Sequence, residues 1–187
     1  MSQELLFFGN IISMPSKLII IRGNSGSGKT TIAKEVRSRL GDGLSDDTML
    51  VQQDVIRRDI LRERDMPEKR STIELIEMLV EFGRSHGRIV VVEGIFKASK
   101  YSEMFTGLAS RFDEVYVYYF DIPFEETLIR HTSKPNAHEF GEEEMRRWWN
   151  EKDYLGMSGE KILHENMSFE NIVREIVNDT GITPQVH

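Results

Sequence analysis

The sequence has no cysteine, so it can form neither a disulfide framework nor a thiolate metal site. That is compatible with a reducing cytoplasm, the compartment expected for the chain. No apolar run approaches the roughly 20 residues that span a bilayer. The apolar start lacks the basic residues and small-residue cleavage site of a signal peptide, and no membrane partner is expected. Excess positive charge is also missing: 24 Lys and Arg against 31 Asp and Glu give a formal net charge of −7. This disfavours non-specific nucleic-acid binding, though a local basic groove remains compatible with it. The 5 histidines show no metal-ligand spacing. Internal repeats, low-complexity tracts and interdomain linkers are absent. What is present is a composition that suits a soluble globular domain, 39% hydrophobic and 29% charged over 187 residues, enough to bury one core.

Against that plain background one stretch stands out. Gly23-Asn24-Ser25-Gly26-Ser27-Gly28-Lys29-Thr30 reads GxxxxGKT, a phosphate-binding loop. The apolar run Leu18–Ile21 precedes it, and Thr31 opens a helix-like segment after it. Glycines permit backbone conformations closed to residues with a Cβ, so successive N–H groups can converge on phosphate oxygens at a helix N-terminus. Residues 23–31 are therefore the expected ATP site. Lys29 is expected to neutralise the outer phosphates and the Thr30 hydroxyl to ligate Mg²⁺. A Gly/Ser-rich β-to-α turn is the plainer alternative.

In chain order, residues 1–16 are either an extension, with translation beginning at Met14, or an N-terminal arm packed on a sheet. The domain itself is expected over 17–187. Continuous apolar runs predict buried parallel strands at 17–22, 49–51, 89–92, 115–120 and 161–163. Helical periodicity is predicted after the loop to about Leu40, over 54–61 with Asp54 as N-cap, over 73–82, 99–111, 124–131 and 142–154, and after Ser168. The stripe at 73, 76, 79, 80 and 82 is read as buried, and Met145, Trp148 and Trp149 as one packed side. The polar stretch 132–141 is read as a loop or lid. Strands alternating with helices imply an α/β fold, a doubly wound parallel five-stranded sheet with helices on both faces and ligands outside the strands' carboxyl ends.

The strand ends then supply the candidate chemistry. Asp54 closes strand two, where a carboxylate can take the proton of an acceptor hydroxyl facing the γ-phosphate; the alternative is a helix cap. Arg57 and Arg58, one turn on, can grip an anionic substrate group or belong to a solvated face with Asp59, Arg62 and Glu63. Glu93 can hold a Mg²⁺-bound water or hydrogen-bond the substrate, or merely satisfy a turn. Arg130 and Lys134 place positive charge ahead of the lid, where cations screen the transferred phosphoryl group. Arg130 can also stack on adenine or compensate a helix dipole. Glu142–Glu144 reads as the acidic first turn of a helix.

Together the loop, the Asp54-x-x-Arg57 segment, Glu93-Gly94 and the basic segment after strand four resemble the small P-loop kinases over about residues 17–179. The nearest group is the one containing zeta toxins, chloramphenicol phosphotransferase and the kinase domain of polynucleotide kinase; small uridine kinase-like proteins are similar. The resemblance implies a P-loop NTPase fold of the nucleoside/shikimate kinase type with a small lid, ATP and Mg²⁺ as cofactors, and a small-molecule acceptor. It matches Asp54 to the substrate-activating aspartate and Arg130 to the first lid arginine, while Lys134 stands where many relatives carry a second arginine. A polynucleotide 5′-hydroxyl kinase and a nucleotide-dependent switch or toxin-type protein are the competing readings.

Overall fold

The computed structural model describes residues 15–41, 47–64, 70–132 and 141–182. The N-terminal segment 1–14, the turn residues Asp42 and Gly43, Pro67, and the lid stretch 133–140 with Lys134 lie outside the described residues.

Strands β1 (Lys17–Gly23), β2 (Thr48–Gln52), β3 (Ile89–Gly94), β4 (Glu114–Asp121) and β5 (Lys161–His164) form one sheet in the order β2-β3-β1-β4-β5. Every neighbouring pair is parallel. All the carboxyl ends therefore lie along one edge, and everything that follows a strand opens there.

The apolar runs are continuous because β1 and β3 are covered on both faces. Side chains alternate between the two. Leu18, Ile20, Val90, Val92 and Val117 face a core completed by α2 (Ser71–Ser85) and α3 (Ala98–Ala109). Ile19, Ile21, Val91, Tyr118 and Phe120 face the opposite core, completed by α1 (Lys29–Leu40) and α6 (Phe169–Asp179). The four residues Leu18–Ile21 are fully buried, each contributing on the order of 2 kcal/mol of burial. Ser168 caps α6 by accepting the Asn171 amide, as its sequence position predicts. Among the described residues no helix is long and apolar enough to cross a membrane.

Four sequence expectations are corrected. The segment after β2 is a π-helical turn, Val55–Ile60, closed by the Leu61 amide on the Ile56 carbonyl. Ile56 is buried, whereas Ile60 is exposed to solvent. In α2, Phe82 is half exposed and stacks on His86 instead of joining the stripe. The last predicted helix before β5 is short: α5 spans Glu142–Trp148 and stops because Trp149 adopts extended backbone angles. Trp148 is consequently partly exposed, while Trp149 packs edge-on against Phe124, the first residue of α4 (Phe124–Thr132). The acidic run Glu142–Glu144 forms the first turn of α5, and the Glu144 carboxylate accepts the Gly141 amide.

Candidate active site

The loop between β1 and α1 is shaped by its glycines. Gly26 has φ +83°, and a Cβ there would sit 2.5 Å from the Thr127 carbonyl oxygen. At Gly23, φ is +149° and a Cβ would meet Phe120 at 2.8 Å. No other residue fits at either position without displacing backbone. The outward carbonyls of the loop are already matched. Asn24 O accepts the Lys29 ammonium at 3.2 Å and the Ser27 amide at 3.3 Å. Ser27 O accepts Nη1 of Arg130 at 3.1 Å, whose Nε is held by Glu126 at 2.7 Å. The Asn24 side chain clasps the backbone of Asn150, donating to its carbonyl and accepting its amide.

The inward groups are not matched. The amides of Gly26, Gly28, Lys29 and Thr30 find no acceptor among the described residues. The Ser27 hydroxyl is buried without a partner. Lys29 is buried, and Ser25 and Thr31 flank this cluster at the start of the 12-residue α1. Unpaired amides, a buried ammonium and a positive helix end make an anion cradle.

Beyond the cradle stands an acid. Glu93, buried at the end of β3, accepts the Thr30 hydroxyl at 3.0 Å through Oε1 and the Gln52 amide at 3.1 Å through Oε2. The sheet register brings this about, since Glu93 lies opposite both Ile21 of β1 and Gln52 of β2. Hydroxyl and carboxylate oxygens are the hard donors that Mg²⁺ prefers, together with phosphate oxygens and water. Among the described residues no group of three or more His, Asp or Glu could hold a metal alone. The donor set thus fits a metal that arrives with a phosphate.

Asp54 follows β2 on the same edge. It does not cap the π-helical turn: its backbone is helical and its side chain makes no cap bond. The carboxylate is largely exposed, and Oδ1 accepts Nη2 of Arg57 at 3.0 Å. Arg57 also reaches the Glu63 carbonyl at 3.4 Å, while Arg58 lies on the exposed side. The structure therefore joins Asp54 with Arg57, and Glu93 with Thr30, as two neighbouring pairs.

The profile of the AAA domain family matches residues 18–151, well over half of the chain. The chain belongs to that family. No curated protein matches it significantly by sequence. Solved structures share the fold at low identity. A gluconokinase from Sinorhizobium meliloti superposes with a TM-score of 0.66 at 15% identity, covering 89% of this chain and 92% of its own. The Mycobacterium tuberculosis APS kinase, solved with AMPPNP and APS, gives 0.67 at 16%, covering 88% and 96%. The Deinococcus radiodurans tunicamycin resistance protein gives 0.65 at 15%, covering 92% and 100%.

Two supports of this AAA domain site escape sequence reasoning. Arg22, the residue before the loop, is fully buried. Its guanidinium donates to the Phe96 carbonyl at 2.8 Å, to Asp153 at 2.7 Å and to Glu160 at 3.3 Å, and lies over the Tyr119 ring. Burial pushes the Tyr119 hydroxyl up to about 12. Asp153 also accepts the Ala98 amide at the start of α3. Arg22 thereby fixes the 150–160 segment, whose Asn150 holds Asn24. The second support is Gln53. Its carbonyl accepts the amides of Ile95 and Phe96, and its amide donates to the Tyr101 hydroxyl at 2.7 Å. One sequence signal could have pointed at Arg22: a charge that follows directly on the apolar run Leu18–Ile21.

Proposed function

We propose that this chain is an ATP-dependent phosphotransferase that moves the γ-phosphate of ATP to a hydroxyl of a small molecule. The observation that carries the reading is an arrangement along one sheet edge: an anion cradle after β1 whose amides find no acceptor among the described residues, and, two strands away after β2, the exposed Asp54 carboxylate. Kinase relatives among the solved structures support it.

On this reading the amides of residues 26–30 and Lys29 hold the triphosphate. Arg130 braces the loop from behind through Ser27. Thr30 and Glu93 would hold Mg²⁺, which would supply charge neutralisation for the triphosphate. This assigns Glu93 to the metal side of the site, one of its two sequence-level roles. The acceptor hydroxyl gives its proton to Asp54, whose Oδ2 is left available by the single bond at Oδ1. The acceptor oxygen bonds to the γ-phosphorus as the bond to the β–γ bridging oxygen breaks, and ADP leaves. Arg57 holds the Asp54 carboxylate through Oδ1, with Arg58 beside it for the substrate. Within the small kinases we place the chain nearest the zeta toxin and chloramphenicol phosphotransferase group, on its Asp54–Arg57 and Glu93–Gly94 motifs.

A screen coupling ADP release to nucleosides, sugars, hydroxy acids, nucleotide-sugars, aminoglycosides and short oligonucleotides tests this. At least one small-molecule hydroxyl compound is expected to stimulate release, with Lys29→Ala silent. Nucleotide binding with no acceptor stimulation across the panel would overturn it in favour of a switch. Stimulation by oligonucleotides alone would favour a polynucleotide kinase.

A further inference from the structure

The proposed base stands beside an exposed turn, and Glu63 ties that turn to α2. It holds Arg57 twice: its amide donates to the Arg57 carbonyl at 2.7 Å, and its carbonyl accepts Nη1 of Arg57 at 3.4 Å. The same guanidinium donates through Nη2 to Asp54 Oδ1 at 3.0 Å. One arginine therefore bridges Asp54 and Glu63.

The Glu63 carboxylate reaches the other way. Oε1 accepts the Ser71 hydroxyl at 2.6 Å and Oε2 the Thr72 hydroxyl at 3.1 Å. Both hydroxyls belong to the first turn of α2, a helix seated in the core through Ile73, Ile76 and Val80. With each oxygen on a different hydroxyl, the carboxylate is fixed in place and in plane.

The backbone beside it is strained. Arg62 has φ +53°, a left-handed conformation that a residue with a side chain seldom adopts. Such an outlier persists where surrounding contacts over-determine it, and outliers of this kind cluster at functional sites. Here the contacts are those of the next residue, Glu63: amide and carbonyl on Arg57, carboxylate on α2.

Asp54 needs such an anchor. A general base works within hydrogen-bond reach of the proton it takes, and a misplacement of about 1 Å can cost about 10²-fold in rate. Asp54 is largely exposed, and the long Arg57 side chain has rotamer freedom of its own to lose. Held at one end by the Glu63 carbonyl and at the other by Asp54, that side chain passes the rigidity of α2 to the sheet edge.

We propose that Glu63 is a positioning residue for the transfer: it anchors Arg57 to the start of α2 and so holds the Asp54 carboxylate in place for the acceptor hydroxyl. The inference rests on the phosphotransferase reading.

The test uses the full chain and two measurements. Backbone hydrogen exchange without any ligand reads the turn. ADP release with ATP, Mg²⁺ and the panel of nucleosides, sugars, hydroxy acids, nucleotide-sugars, aminoglycosides and short oligonucleotides reads the transfer. In Glu63→Ala, exchange over residues 55–63 is expected to rise at least ~5-fold, as for loss of one hydrogen bond's local protection. There kcat is expected to fall ~10-fold, with KM for ATP unchanged. Ser71→Ala combined with Thr72→Val strips the two hydroxyls, leaves Glu63 in place and should match Glu63→Ala. Glu63→Gln keeps an oxygen acceptor and should recover most of the loss. The deciding comparison adds Glu63→Ala to Arg57→Ala. The added loss in kcat should stay below ~2-fold, because both residues act along one path, whereas a residue that only props up the fold would multiply its loss with that of Arg57→Ala. Unaltered exchange over 55–63, an unmoved kcat in Glu63→Ala, or multiplied losses in the double variant overturns the proposal. Faster exchange in Glu63→Ala, with no ADP release by any protein including the wild type, leaves the anchor standing and overturns the phosphotransferase reading instead.

Discussion

The two ends of the candidate site are built differently. At the phosphate end the loop is sunk into the fold: Asn24, Ser27 and Lys29 are buried, and the carbonyls of Asn24 and Ser27 meet donors from Lys29 and Arg130. At the proposed acceptor end Asp54 stands largely exposed ahead of a π-helical turn, held by Arg57. The cradle is prearranged for a ligand of fixed shape. The proposed acceptor rim sits on a short π-helical turn that is anchored in the core by Ile56 and otherwise faces solvent. On the phosphotransferase reading, the donor half is thus fixed by the fold and the acceptor half stands on more exposed backbone.

The comparison can be broken from the cradle side first. Lys29→Ala is expected to abolish turnover while the chain stays folded, as measured by ADP release and circular dichroism; residual turnover near wild type would mean the ammonium is only structural. Arg22→Met attacks both ends, because Asp153 and Glu160 lose their counter-charge and the segment holding Asn24 is released. It should cost about 3 kcal/mol in denaturant unfolding, the range for breaking a buried ion pair, and an unmoved midpoint would show that the clamp is dispensable.

The acceptor side should respond differently. Asp54→Asn is expected to lower transfer by ~10²-fold or more with ATP affinity intact, since the carboxylate touches nothing in the cradle. Equal losses in binding and transfer would erase the distinction between the two ends.

A gentler probe is alkaline stability. Burial holds the Tyr119 hydroxyl at about 12, above its ordinary value of 10.0. The folded state keeps a proton that the unfolded state gives up, so this contribution is complete below pH 10 and is lost as pH rises toward 12. Burial and the Asp179 hydrogen bond raise Tyr118 as well. Tyr119→Phe should flatten the fall in unfolding free energy over that window; an unchanged slope would place the effect elsewhere.

The strands were legible in the sequence because parallel strands covered on both faces must be apolar throughout, and the cradle because its glycines and Lys-Thr are contiguous. Contacts made across long stretches of chain were not. Arg22 meets Phe96 and Asp153 from 74 and 131 residues away. The π-helical turn and the early end of α5 are likewise set by tertiary packing that periodicity cannot see.

The most direct test follows the phosphate itself. With ATP radiolabelled at the γ-phosphate, Mg²⁺ and the acceptor panel, the account predicts label in an organic phosphate ester, with Asp54→Asn forming that ester at least ~10²-fold more slowly while still binding ATP. Label found only as inorganic phosphate with every acceptor, or ester formed at an unchanged rate by Asp54→Asn, would contradict it.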